Sequence, residues 1–129
     1  MRYRFYSRDH GHIQIFQRNA RGHRRSFEVG VSLVFGSDVI TNVPGHTRGS
    51  AILSLIDTWI EAEIPPLEIL MAMPINGALL LGIEKERGAI KPGMLADIIA
   101  TPENPIDDIQ ALKKVKFVLK EGKVFRHIQ

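Results

Sequence analysis

Gly30-Val-Ser-Leu-Val-Phe-Gly-Ser-Asp38 is the stretch on which the reading of this chain turns. Val31 to Phe35 is a short apolar, β-branched run, the pattern of a strand covered on both faces, as in a parallel sheet. Gly36-Ser37 ends it, and the carboxylate of Asp38 follows at once. In parallel α/β architectures, ligands and metals bind at that mouth of a strand. Burial disfavours an ionised carboxylate unless a cation or several donors compensate. Position alone leaves two readings of Asp38 open: a group for catalysis or metal binding, and a cap on a nearby backbone N–H.

The loop that follows, Val39 to Gly49, contains Pro44-Gly-His-Thr-Arg-Gly49. At the same mouth as Asp38, His46 and Arg48 could touch a substrate, Arg48 as an anion clamp. The other reading is two solvated loop residues. Ser50 suits a helix N-cap. Ile52, Leu55, Ile56, Trp59 and Ile60 then make one apolar stripe, with Ser54, Asp57, Thr58 and Glu61 facing away. Pro65-Pro66 stops that helix and starts another at Leu67, with Pro66 in the first helical position. Pro74 opens a third, Ile75 to Leu81, which Gly82 ends. A buried strand followed by helices is βα grammar, so the predicted class is α/β.

After Ile83 the pattern changes. Gly88-Ala-Ile-Lys-Pro-Gly93 is turn chemistry, and Ala96 to Ala100 reads as a strand. Asn104-Pro-Ile-Asp-Asp108 is a second turn leading into a short helical piece to Leu112, with Asp107-Asp108 better suited to capping than to catalysis. Lys116 to Lys120, Glu121-Gly122 and Lys123 to Phe125 predict a β-hairpin around a two-residue turn. Upstream, Gln17 to Val29 reads as an Arg-rich helix stopped by Gly30. Tyr3, Phe5, Ile13 and Ile15 alternate with polar residues, which predicts short extended pieces. His10-Gly-His12 has metal-ligand spacing but no third ligand close by, and His23 reads as a surface residue.

Among 129 residues there is no Cys, which excludes disulfide staples and thiol-based zinc sites. No apolar run approaches the ~18 residues of a membrane span, and the first residues lack the apolar core of a secretory signal. A cytoplasmic location is the default expectation. Residues 1–25 carry seven Arg against Asp9, whereas the rest of the chain carries ten bases and thirteen acids. An Arg-rich head can bind a polyanion, but no recognition fold or aromatic platform accompanies it, so nucleic acid is not the expected partner.

Gly30 to Asp38 resembles the last barrel strand of the amidohydrolase superfamily, with its Asp at the strand end. Ile75 to Ile83 and Gly88-Ala-Ile-Lys-Pro-Gly-Met-Leu-Ala-Asp-Ile-Ile99 resemble that family's continuation out of the barrel into a small composite β domain. Asn104 to Ile109 and Val115 to Val124 carry the similarity to the end. It covers roughly residues 20–129, and its flavour is that of imidazolonepropionase-like and Xaa-Pro dipeptidase-like hydrolases.

The resemblance implies an α/β fold containing the last βα unit of a partial (β/α)8 TIM barrel, plus strands of a composite β domain. The corresponding division is a basic segment (1–16), the barrel's end (17–83) and the β module (84–129). It implies a divalent metal, zinc by family habit, which lowers the pKa of bound water to near ~7. Asp38 is the matching catalytic and metal-site residue, taking the water's proton and passing it to the leaving nitrogen. The implied substrate is a cyclic amide or small peptide-like molecule. Asp97 also matches a family position, where bracing a turn is the expected role. The family's other ligands have no matching place, and His10 and His12 follow no apolar strand. One Asp cannot hold a catalytic metal, since such sites use three or more protein ligands. The expectation is therefore a C-terminal part, inactive alone, whose missing ligands come from a longer parent, an oligomer or a complementing chain. A non-catalytic interaction module with a basic arm is the alternative.

Overall fold

Helix α1 spans Gly11–Glu28 in the computed structural model, which describes residues 11–36 and 45–128. It starts earlier than the predicted Gln17, and the extended pieces expected at Ile13 and Ile15 are helical instead. Once a helix is nucleated, each added residue gains a hydrogen bond, whereas an alternating pair of apolar residues gains nothing without a strand partner. The helix closes through Gly30 at φ 76°, whose N–H donates to Phe27 O, while Val31 N–H reaches back to Ser26 O.

Val31 to Gly36 corrects the expected buried strand: the segment has no regular secondary structure. Val31 is 55% exposed, and Leu33, Val34 and Phe35 are only half-buried. A strand needs a neighbour for its backbone, and no described segment pairs with this one. Its groups are satisfied sideways instead. Phe35 N–H donates to Ala72 O at 3.0 Å, and the Asn76 amide donates to Leu33 O at 2.8 Å.

Helix α2 (Arg48–Glu61) is capped by Thr47, not Ser50: Thr47 Oγ1 accepts from Ser50 N–H at 3.1 Å. Ile56 and Trp59 are buried as the stripe requires, but Ile60 is 37% exposed and Thr58, expected outside, is 3% exposed. Helix α3 (Pro66–Ala72) begins with Pro66, and α4 (Ile75–Leu81) ends at Gly82 in the left-handed region, both as predicted. The core gathers Ile56, Trp59, Ile64, Ile69 and Ala72 with Ile109 and Leu112. Those last two belong to a short 3-10 helix, Ile109–Lys114, whose cap is Asp108, as its capping reading required.

Strands β1 (Ile98–Ala100), β2 (Phe117–Lys120) and β3 (Lys123–His127) form an antiparallel sheet in the order β1-β2-β3. The hairpin turn is Glu121-Gly122, with φ 48° and 77°, the paired positive φ of a type I′ turn.

Candidate functional site

The candidate site lies where the chain passes from α1 into α2. Asp38 itself falls outside the described residues. What the structure fixes is the ground on either side. On the entry side, the Phe35 ring packs 5.5 Å from Trp59, and Trp59 in turn contacts His23 at 5.2 Å. With the bonds to Ala72 and Asn76, these contacts attach the root of the loop to α2, α3 and α4.

On the exit side, His46 and Arg48 are both exposed, at the start of α2. Ser50 Oγ lies 3.4 Å from His46 Nδ1 and donates to Thr47 O at 3.1 Å. Arg48 has no ion pair among the described residues. The first turn of a helix carries partial positive charge on its free N–H groups, so Arg48 and that turn together favour an anionic group. His46 and Arg48 are thus two residues apart at the start of α2, with the Ser50 hydroxyl beside His46. Among the described residues no three His, Asp or Glu side chains are grouped to hold a metal ion. The described residues alone therefore do not fit a catalytic metal. Gly11 and His12 open a helix rather than an alternating strand, and His10 lies outside the described residues.

His23 is not the surface residue expected. Its ring is half-buried against Trp59, its Nδ1 is enclosed with no hydrogen-bond partner among the described residues, and burial lowers its pKa below the usual histidine value. An open cleft of about 410 Å³ beside α1 and the end of α2 has mixed charge, lined by Arg21, Arg25 and Glu61 among others. Its Arg24 is already bonded to Glu28 at 2.7 Å and to Glu63 at 3.0 Å, which leaves no net anion or cation seat.

In the β module, Asp97 braces a turn as expected. Its Oδ1 accepts from Glu121 N–H at 2.8 Å, and Oδ2 takes an ion pair from Arg87. Nothing in the local sequence marks Arg87 or Asn76. Both act on residues distant along the chain, and no local spacing announces such a contact.

The profile of the Amidohydrolase family matches residues 12–125 of this chain. The ochratoxinase of Aspergillus niger is 31% identical over 110 residues, covering 82% of this chain and 22% of that enzyme. The imidazolonepropionase of Symbiobacterium thermophilum is 31% identical over 114 residues, covering 80% of this chain and 26% of its own length. A solved Xaa-Pro dipeptidase with methionine bound in its active site superposes with a TM-score of 0.72 at 31% identity, over 83% of this chain and 25% of that one. The chain belongs to the amidohydrolase family. It spans about a quarter of the length of these relatives.

Proposed function

We propose that this chain contributes the C-terminal part of a metal-dependent hydrolase that cleaves C–N bonds in a cyclic amide or small peptide-like substrate. The observation that carries this is the family match itself, which extends from residue 12 to 125 and so spans both sides of Asp38. The named activities of the relatives, ochratoxinase, imidazolonepropionase and Xaa-Pro dipeptidase, support the bond class. On this reading, residues 17–83 form the end of a TIM barrel with its last βα unit, and 84–129 belong to a composite β domain.

Asp38 is the catalytic residue of the reading. Its carboxylate takes a proton from the attacking water and returns it to the leaving nitrogen, so that the amine departs neutral. His46 and Arg48 bind the substrate, Arg48 holding a carboxylate or polarised carbonyl oxygen near the first turn of α2. A divalent metal, zinc in the family's usual form, belongs to this chemistry. The described residues do not group to hold one, and on this reading the ligands they lack come from a longer parent, an oligomer or a complementing chain. The 129 residues alone are expected to be inactive.

The test replaces the corresponding segment of the Xaa-Pro dipeptidase with residues 12–125 of this chain. Hydrolysis of Xaa-Pro dipeptides by the chimaera, with kcat lowered about a hundredfold or more by Asp38→Asn at little cost in KM, is the expected result. An Asp38→Asn chimaera as active as its parent would remove Asp38 from the mechanism.

A further inference from the structure

We propose that one face of the β1-β2-β3 sheet is a docking surface for an acidic, extended polypeptide segment. The strand register places Val118 opposite both Ile99 and Arg126, and Lys120 opposite Lys123. Side chains alternate along β2, so Lys116, Val118 and Lys120 share a face with Ile99. On β3 an irregularity in register between Val118 and Leu119 lets Lys123 and Arg126 both stand opposite that face, against Lys120 and Val118. The four cations are exposed, and none makes an ion pair among the described residues. Ile99 is 52% exposed among them.

Two features distinguish this face from an ordinary solvated one. Like charges directly opposite each other destabilise a strand pair, and Lys120 and Lys123 are such a pair. The acid best placed to relieve them, Glu121 in the turn between them, is committed elsewhere: its Oε1 accepts from Arg87 Nη2 at 2.9 Å. The face therefore keeps its full positive charge, and an incoming anion relieves the repulsion. Residues two apart on an extended segment repeat at about 6.8 Å, the same period that sets Lys116, Val118 and Lys120. A segment alternating acidic and apolar residues can thus meet the cations while covering Val118 and Ile99. Nucleic acid fits less well, since single strands stack on successive aromatic platforms, and the three strands expose one phenyl ring, Phe125.

The whole 129-residue protein is titrated with a fluorescein-labelled peptide of alternating Glu and Val, followed by anisotropy. Binding that weakens with salt, and that falls about tenfold or more in the Lys120→Glu, Lys123→Glu double variant, is expected. Lys85→Glu with Lys91→Glu should leave it unchanged, and circular dichroism checks that each variant retains the fold. The proposal is overturned if the peptide does not bind, if the double variant binds it equally, or if Arg21→Glu with Arg25→Glu abolishes binding instead. It is also overturned if duplex DNA binds this face more tightly than the peptide.

Discussion

Asp97 and Glu121 are joined by a backbone-to-carboxylate hydrogen bond of 2.8 Å that closes the hairpin turn onto the start of β1. Gly122 N–H donates to Ala96 O beside it at 3.2 Å, and Arg87 bridges both carboxylates. Charge-assisted bonds of this kind contribute more than neutral ones. Asp97→Ala is expected to destabilise the sheet by about 1–3 kcal/mol. Hydrogen exchange at the Glu121 and Gly122 amides would show it, and unchanged protection there would refute the bracing role.

Two glycines should respond to alanine with opposite signs. A Cβ on Gly88 would stand 2.8 Å from both Ala78 Cβ and Pro74 O, with φ at +98°. Backbone and helix cannot yield there, so Gly88→Ala should cost roughly 1–3 kcal/mol. Gly77, inside α4, has open space around its Cβ position, and Gly77→Ala should add about 0.5–1 kcal/mol. Thermal melts of the two variants check both signs together.

Stability should fall in two stages on acidification. Burial lowers the His23 pKa, so between that value and the ordinary ~6.5 the unfolded chain binds a proton that the folded one resists. Stability is therefore full above about pH 6.5 and declines as pH drops from there toward the folded value. Burial raises the Asp57 carboxyl, but the hydrogen bonds from Lys113 and Gln110 and the Lys113 charge outweigh this and leave it below the usual value. Its contribution is present above about pH 4 and is lost as pH falls through the folded pKa. Because Asp57 is half-exposed, the second stage is small. Urea midpoints across this range should lose the first stage in His23→Gln and the second in Asp57→Asn.

The cap of α2 gives a comparison between neighbours. Thr47→Ala removes the acceptor of the Ser50 N–H and should cost about 1 kcal/mol. Ser50→Ala removes only side-chain bonds to Thr47 and His46, and should cost less. Equal losses in denaturant melts would return the cap to Ser50.

What the sequence disclosed was local. Pro66, Gly82 and Asp108 each act within a turn of themselves, Glu121-Gly122 sets the local backbone of its turn, and each stands where its residue type predicts. Thr58 and His23 are covered where their residue types predict solvent, because burial depends on what packs from elsewhere in the chain. Val31 to Phe35 failed as a strand for the same reason, since pairing is a property of two segments and the pattern describes one. At the site, His46 lies ahead of α2 as read, but Arg48, read as a loop residue, is the first residue of the helix, and the bonds of Asn76 and Arg87 had no local signal.

The bond from Asn76 to Leu33 O spans 43 residues, and with Phe35 N–H on Ala72 it gives the loop that leads to Asp38 a borrowed foundation. The segment has no ladder of its own, so its aim is inherited from the junction of α3 and α4. A substitution at that junction would thus re-aim the stretch ahead of Asp38 while leaving every residue of the loop intact.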